Sequence, residues 1–497
     1  MKFSKLYKFL IVLPVVSMLG CADFLDVNDT PNNPLAPPPA TMLGAALGGT
    51  AFANANELNR FASTVTSYLS GAGGSPQSYD RYILTGGDFG NQWNGELFNG
   101  SLITYKKMID AADEIGAKSY SGVGKIMMAY TFALTTDIWG DIPYSQALQG
   151  DQGADEILRP ALDLQEDIYK GNSSKGIKSL FDLLREGIAD LAATSTTNPG
   201  TEDIVYGGNL ANWRKAGYSV MLKLAMTISG REPALAASVI NEVLAADYIK
   251  ANTENLSVRF GGSVGSQSPI YTWTYVSLFI NDLIVSTRYV ALLNSLADPR
   301  LPLFVTRTSA GAYVTIDNGF AGTLPTPTSS WSRWAPPVVG ASGVGPIRLI
   351  TYASRCFMMA EAAVMIPGVT LPAGMTAQSL YYEGMRASMS EAGMTAAQMD
   401  AYLGTAAAPT AVATLSGTQA NMQQQIITQK YIALTGNGLE AWNDYRRTGF
   451  PVLAQHQNAA GEDGTRPVRA RYLDSEIARN PNFIAKKTNE RVWWDVN

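Results

Sequence analysis

Residues 174–193 read SKGIKSLFDLLREGIADLAA and carry the clearest helical pattern in the chain. Apolar side chains recur three and four positions apart and so fall on one stripe: Ile177, Leu180, Phe181, Leu184, Ile188 and Leu191. The charged side chains between them lie off that stripe. This period predicts an amphipathic α-helix that buries one face against the rest of the protein.

Similar patterns predict that helices dominate the chain. They fall at 42–69, 99–116, 122–138, 210–229, 234–246, 275–297, 351–365, 376–392 and 418–435. Several form pairs joined by short turns, such as 99–116 with 122–138 and 351–365 with 376–392. An antiparallel helix pair of about 34 residues is the unit of a tetratricopeptide solenoid. We therefore predict a mostly all-α fold built on a tetratricopeptide-like helix-pair scaffold, with an irregular helical domain as the alternative.

Long loop-rich insertions separate the helices at 70–98, 139–173, 247–274 and 298–350. The last is rich in Gly, Pro, Ser and Thr and contains one predicted strand, around Ala312 to Ile316. Loops of this length are usually functional or disordered. Because these carry many aromatic residues, which are rare in disordered linkers, we predict that they are ordered.

The N-terminus has the pattern of a bacterial lipoprotein export signal. Lys2, Lys5 and Lys8 precede an apolar stretch that is too short to span a bilayer, and Gly20-Cys21 follows. We predict a signal peptide at 1–20, lipidation of Cys21, a Pro- and Asn-rich tether at 21–40 and a single domain at 41–497. The alternative is a membrane-anchored N-terminus with an incidental cysteine.

Composition excludes several classes of protein. The chain has 497 residues, one histidine, two cysteines and a net charge of −5. Multi-histidine metal sites and disulfide frameworks are therefore excluded, and nucleic acid is not an expected partner. Cys356 is predicted to be buried and inert, and His456 to lie at the surface or to bond a loop. No cofactor is indicated, and a structural calcium ion is left open.

One motif, TDIWGDIPY at 136–144, admits two interpretations. As catalysis, Asp137 and Asp141 are two carboxylates that could serve a glycosidase. As structure, Gly140 ends the preceding helix, Trp139 packs below that end, and the aspartates bond the turn backbone. We favour structure because the motif leaves a long amphipathic helix.

Together these segments resemble the SusD/RagB family of outer-membrane lipoproteins from Bacteroidetes, on its SusD-like branch. The resemblance rests on the lipidation motif, TDIWGDIPY, DPRLPLF at 298–304, EAWNDYRRTG at 440–449 and the final Trp493-Trp494-Asp495. It implies a tetratricopeptide-type scaffold packed on a less regular half. It also implies a lid on a SusC-like, TonB-dependent transporter, facing the extracellular side of the outer membrane, which binds a nutrient without cleaving it. Family members mostly take glycans, and the RagB branch takes peptides.

The loop aromatics are the candidate ligand-binding residues, because aromatic faces stack on sugar rings and amides bond hydroxyl groups. In starch-binding relatives the loop corresponding to Trp93 and Asn94 helps to form the ligand arc. The alternation of Tyr271, Trp273 and Tyr275 could place all three on one face of an extended strand. The full candidate set is Tyr79, Arg81, Trp93, Asn94, Tyr271, Trp273, Tyr275, Trp331 and Trp334. The alternative is that these side chains bury the loops onto the scaffold.

The sequence thus predicts a surface lipoprotein that binds an oligosaccharide and delivers it to a TonB-dependent transporter. Three alternatives stay open: the same fold binding peptides, a lipid-anchored glycosidase, and a helical protein-binding scaffold without small-molecule cargo.

Overall fold

The structure, a computed structural model, describes residues 37–276 and 278–497. The predicted signal peptide, the predicted lipidation site Cys21 and most of the predicted tether lie outside these residues. The first helices are α1 (Pro39–Ala55), α2 (Glu57–Val65), α3 (Gly74–Tyr79), α4 (Ile103–Glu114), α5 (Lys118–Trp139), α6 (Asp155–Leu158), α7 (Gln165–Lys170), α8 (Leu180–Asp190), α9 (Leu210–Ile228) and α10 (Pro233–Leu244). A π-helical segment, Gln92–Leu102, leads directly into α4.

The second half alternates short and long helices. They are α11 (Pro269–Tyr271), α12 (Thr287–Ser295), α13 (Leu301–Phe304), α14 (Pro336–Val339), α15 (Tyr352–Met365), α16 (Ala377–Glu391), α17 (Ala396–Leu403), α18 (Gln419–Ala433), α19 (Gly438–Thr448) and α20 (Asp474–Arg479). A second π-helical segment, Thr272–Val276, continues α11. Side-chain caps begin several long helices; Ser179 Oγ, for example, accepts a hydrogen bond from Asp182 N at the start of α8.

Neighbouring helices in the sequence pack as pairs, which confirms the predicted fold class. α4 packs on α5, α9 on α10, and α15 on α16. The helix predicted from residues 174–193 forms as α8, and its apolar stripe packs on α5. This helix is shorter than predicted at both ends. At its start Ser179 caps it, and residues 174–178 form a turn and part of an isolated bridge instead.

Glycine permits the close crossing of α5 and α8. A Cβ atom on Gly122 would lie 2.7 Å from the carbonyl oxygen of Gly187, and one on Gly187 would lie 2.9 Å from that of Gly122. Both distances are too short for carbon against oxygen, so the two backbones meet only because neither position has a side chain. At the other end of α5, Gly140 adopts a φ of 80°, which ends the helix as predicted.

Short strands connect the irregular parts of the chain. β1 (Leu69–Gly71) pairs antiparallel with β3 (Leu283–Val285), and Leu69 faces Val285. β2 (Leu256–Val258) pairs antiparallel with β4 (Ile347–Ile350), and the register shifts between Leu256 and Ser257. β5 (Gly404–Thr405) and β6 (Ala408–Pro409) form a small hairpin. The predicted strand at 312–316 is wrong, since only Ile316 makes a bridge there, to Ser286.

Two predicted helices are also wrong in part. The pattern at 42–69 divides at Asn56 into α1 and α2, and the chain then enters β1. The pattern at 275–297 is helical only at its start, where the π-helical segment ends, and in α12, because Leu283–Val285 pairs with β1 instead. In both segments a run of apolar residues fits a buried strand as well as a helix face, so periodicity could not separate them.

Candidate functional site

A cavity of about 450 Å³ lies between the π-helical segment Gln92–Leu102, the start of α4 and the loop after α5. The π-helical segment supplies Trp93, Asn94, Phe98 and Asn99, and α4 supplies Ile103 and Lys107. The loop after α5 supplies Pro143, Gln146, Ala147, Leu148, Gln149, Gly150 and Asp151. Ile157, Leu158, Pro160 and, from a distant part of the sequence, Glu476 complete the lining.

Trp93 is held rigidly at the base of this cavity. It is only 4% exposed and packs edge to face on Trp139, with ring centroids 5.0 Å apart. Phe98 packs on its other side at 4.8 Å. Burial raises the pKa of Glu476, and Arg479 and the Trp93 side chain partly oppose that rise. Trp93 therefore shapes the cavity, while the half-buried Phe98 presents more apolar surface to it.

Amide side chains form a polar rim. Gln146 Oε1 accepts from Ala161 N at 2.8 Å, and Gln149 Nε2 donates to Ser145 O at 2.9 Å. The exposed Asn94 donates through Nδ2 to Gly90 O at 3.1 Å. Because an amide carries a donor at one end and an acceptor at the other, fixing one end to the backbone orients the other.

The apolar wall and the amide rim together suit a ligand that has both hydroxyl groups and an apolar face. Leu158, 57% exposed, extends the wall that Phe98 begins. The charges of the cavity are mixed, since Lys107, Asp151 and Glu476 all line it. Such a site offers hydrogen bonds and stacking without a strong preference for an anion.

Of the predicted site residues, Trp93 and Asn94 line this cavity, and the others lie in other parts of the structure. Tyr79 is fully buried and donates to Glu57 Oε1 at 2.8 Å, and Arg81 is half-buried near the loop at 460–461. Neither of them lines the cavity. Phe98 and Glu476 were not predicted, and only the amide side chains at 146–149 could have indicated the rim.

The predicted strand platform of Tyr271, Trp273 and Tyr275 is wrong. These residues lie in α11 and the π-helical segment that follows it. Trp273 turns inward and donates to Ala55 O at 2.9 Å. Tyr271 and Tyr275 share a face with ring centroids 5.3 Å apart. A separation of four residues puts side chains on one face in a helix as well as in a strand, so the spacing was ambiguous.

Trp331 and Trp334, which were also predicted to bind ligand, instead hold their loop on the protein core. Trp331 is 3% exposed and joins a small apolar cluster with Ile284 and Ile316. Trp334 is 1% exposed and packs edge-on against Tyr289, with ring centroids 5.6 Å apart. This is the arrangement expected from the alternative interpretation, in which loop aromatics hold the insertion on the scaffold.

The Asp137–Asp141 motif is structural in this fold. Asp137 is fully buried, and its Oδ1 accepts from Tyr169 Oη at 2.6 Å and Trp494 Nε1 at 2.9 Å. Burial raises the pKa of Asp137, and Lys223 partly opposes that rise. Asp141 Oδ1 accepts from the backbone N–H of Gln165 at 2.8 Å. The prediction that both aspartates bond backbone is wrong for Asp137, and its burial removes it from any ligand.

His456 is buried, so its predicted surface position is wrong and its predicted loop-bonding role is right. Its Nδ1 lies 3.0 Å from Asp80 O and 3.2 Å from Asp80 Oδ1. Its Nε2 lies 3.0 Å from Ser67 Oγ and 3.3 Å from a terminal nitrogen of Arg466. Because Arg466 can only donate, Nε2 must accept and the proton belongs on Nδ1. The order Ser67–His456–Asp80 is that of a hydrolase triad, but Ser67 is 1% exposed and its hydroxyl is closed to substrate.

Acidification is expected to destabilise the wild-type protein more steeply than a His456→Gln variant. Burial lowers the pKa of His456, since bonding to Asp80 only partly offsets it. The unfolded chain therefore takes up a proton on His456 more readily than the folded protein does. This group leaves the free energy of unfolding unchanged above a pH of about 6.5 and lowers it as the pH falls below that value. One proton limits the slope to about 1.4 kcal/mol per pH unit. Urea unfolding between neutral and mildly acidic pH measures it, and equal slopes would contradict the assignment.

Among the residues described, Cys356 is buried as predicted, and burial raises its pKa to about 12. No group of three His, Cys, Asp or Glu side chains within 37–276 and 278–497 is placed to hold a metal ion. In the same part of the chain, every helix is too short or too polar to cross a membrane.

Comparison with known proteins gives one consistent family. The model of the SusD-like family described as "Starch-binding associating with outer membrane" matches residues 31–473. A chitin-binding protein of known structure is 22% identical with a TM-score of 0.75, covering 92% of this chain and 100% of that chain. A SusD homolog from Bacteroides vulgatus is 21% identical with a TM-score of 0.75, covering 92% and 98%. A chitin-binding SusD homolog from Flavobacterium johnsoniae is 21% identical with a TM-score of 0.69, covering 92% and 99%. Comparison with curated protein sequences found no match.

Proposed function

The chain belongs to the SusD-like family, and on that premise we propose that it binds an oligosaccharide and delivers it to a TonB-dependent transporter of the outer membrane. The family description, starch binding with outer-membrane association, supports both the cargo class and the location. Two of the similar structures are of chitin-binding proteins, which also supports a glycan. The proposal includes lipidation at Cys21 and an extracellular orientation, both supported by the export signal in the sequence.

The cavity beside Trp93 and Asn94 is the observation that carries the proposed cargo. Pyranose rings present apolar faces that stack on aromatic and aliphatic side chains, and their hydroxyl groups bond amides. Phe98 and Leu158 supply the apolar surface, and Asn94 and Gln146 supply the amides. We assign Trp93 a positioning role, since its burial leaves it little surface of its own.

Binding without cleavage is part of the proposal. Retaining and inverting glycosidases need two carboxyl groups that flank the scissile bond. The one pair suggested by the sequence is Asp137 and Asp141, and Asp137 is buried in the core, where it cannot contact a substrate. Asp151 and Glu476 also line the cavity, and Glu476 lies beside the Trp93 side chain.

Calorimetric titration with maltooligosaccharides, chitooligosaccharides and unrelated peptides tests this function. We expect heat with one glycan class, and a loss of affinity of about tenfold for Phe98→Ala, equivalent to about 1.4 kcal/mol. Asn94→Ala should weaken binding less, because it removes one hydrogen bond at an exposed rim. Tyr313→Ala is the matched control, since Tyr313 is a half-buried loop aromatic outside the cavity. Heat with peptides alone would show that the cargo is a peptide. Equal losses of affinity for Phe98→Ala and Tyr313→Ala would show that the glycan does not bind in this cavity.

A further inference from the structure

A second cavity, of about 580 Å³, lies between the end of α19, the loop at 455–466 and the segment at 491–497. Three arginines line it, Arg446, Arg466 and Arg491, whereas Asp463 is the one Asp or Glu among its lining residues. The protein as a whole has a net charge of −5. This cavity therefore differs from the molecule as a whole, because most of its charged lining residues are cations. A positively charged cavity attracts and concentrates anions.

Arg446 lies at the inner side of this cavity and is 1% exposed. Its terminal nitrogens donate to Asp137 O at 2.6 Å, to Val468 O at 3.0 Å and to Asn443 Oδ1. Its guanidinium also stacks on Trp442, 3.7 Å from the ring centroid. Within the described part of the chain it forms no ion pair, and its Nε has no hydrogen-bond partner. Burial lowers the pKa of Arg446 to about 10, and the nearby carboxylates of Asp137 and Asp495 oppose that shift only in part.

Arg466 has the same character. It is 5% exposed, and its terminal nitrogens donate to the carbonyl oxygens of Val65 and, at 2.7 Å, Ala454, and to His456 Nε2 at 3.3 Å. Its guanidinium lies 5.2 Å from the ring centroid of Tyr445, which also lines the cavity. Among residues 37–276 and 278–497 no carboxylate pairs with it, and its Nε is likewise without a partner.

The neighbouring Arg447 shows how this fold normally compensates a buried guanidinium. Arg447 donates to both carboxylate oxygens of Glu361, at 2.6 and 2.8 Å, and to Asp444 at 2.9 Å. Buried charges are usually paired, because an unpaired one costs several kcal/mol of desolvation. Among the described residues Arg446 and Arg466 have no carboxylate within ion-pair distance, and both line one cavity, so an anion bound there would add to the compensation of their charge.

We propose that this second cavity binds a small oxyanion of the sulfate or phosphate type, either as a free ion or as an ester group on a larger molecule. Guanidinium groups match the oxygen geometry of these anions better than any other side chain. At the rim, Arg491 is 48% exposed and donates to the buried Asp495 at 2.7 Å, so a ligand here would meet Arg491 while that ion pair is kept. Thr465 and Gln455, both exposed, add neutral hydrogen-bonding groups. This site is separate from the cavity beside Trp93 and does not depend on the proposed glycan binding.

Calorimetry of the folded protein with inorganic phosphate and inorganic sulfate tests the proposal, with glucose 6-phosphate and glucose as further arms. We expect millimolar or tighter binding of at least one anion, weakened by added sodium chloride. Arg491→Gln should weaken it about three- to tenfold, and Asp463→Asn should tighten it, because that change removes the competing carboxylate. Arg214→Gln, which alters an exposed arginine outside this cavity, is the control.

Tighter binding of glucose 6-phosphate than of phosphate, with no binding of glucose at this site, would indicate an ester as the occupant. Binding of the inorganic ions alone would indicate a free ion. The proposal is overturned if no anion gives heat, or if Arg491→Gln and Asp463→Asn change the affinity no more than Arg214→Gln. The glycan titration uses Phe98→Ala in a different cavity, so failure of either proposal is seen independently of the other.

Discussion

Replacing Asp137 by Asn is expected to lower the free energy of unfolding by about 3–5 kcal/mol. Every group that contacts the Asp137 carboxylate is a donor. Tyr169 Oη and Trp494 Nε1 point at Oδ1, while Asn443 Nδ2 at 3.3 Å and Lys223 Nζ at 3.8 Å point at Oδ2. An asparagine must turn its own NH₂ group toward one of these pairs, which leaves buried donors facing each other.

Asp141→Asn is the matched control for this change. Asp141 is half-buried, and its Oδ1 accepts from Gln165 N at 2.8 Å, a bond that an asparagine oxygen can keep. We expect a loss within about 1 kcal/mol. Urea unfolding followed by tryptophan fluorescence measures both variants. A fully stable Asp137→Asn protein would contradict the structural role and would return the motif to the glycosidase interpretation.

The scaffold could be predicted from the sequence because local chemistry and tertiary packing agree there. The stripe of α8 is apolar where it meets α5, Ser179 caps its start, and Gly140 ends α5. Where apolar residues follow one another with no polar residue between them, as at 283–285, the sequence pattern fits a strand and a helix equally well. The partner strand, at 69–71, is too far away in the sequence to be recognised by pattern.

The candidate site was predictable only in part. Trp93 and Asn94 follow from the resemblance and lie in the cavity, but the search for loop aromatics also favoured Trp331 and Trp334, which are buried outside it. A large aromatic side chain is equally suited to stacking on a ligand and to fixing a loop on a core. Which of the two occurs depends on the fold around it. Glu476, for example, reaches Trp93 from a distant part of the chain.

The charged residues are few, and their location is not evident from the sequence. Only 16% of residues are charged, against roughly 25% in typical soluble domains. Many of these few charges nevertheless lie in the core, including Arg300, Glu361 and Lys430. Buried ion pairs contribute less to stability than their number suggests, but removing one partner is costly. The helix packing of α15, α18 and α19 therefore depends on polar contacts that periodicity does not reveal.

Replacing Arg447 by Met is expected to destabilise the protein by about 3–5 kcal/mol, since it leaves the Glu361 carboxylate buried and uncompensated. Glu361 is fully buried on α15, and Arg447 on α19 donates to both of its oxygens. The matched control is Arg185→Met, because Arg185 also donates to both oxygens of a carboxylate, Glu242 on α10, but is 41% exposed. Solvent screens that pair, so its loss should cost no more than about 1 kcal/mol.

A double variant separates the contribution of the ion pair from that of packing. If uncompensated charge is the cause, Arg447→Met combined with Glu361→Leu should recover a large part of the stability lost in Arg447→Met alone, because no buried carboxylate remains. Some loss should persist, since Asp444 then retains only Lys430, at 2.9 Å, as its partner. Chemical unfolding of the four proteins in the cycle gives the coupling energy. If the two losses simply add, the role of Arg447 is to fill space between α15 and α19, and its charge is not what holds them together.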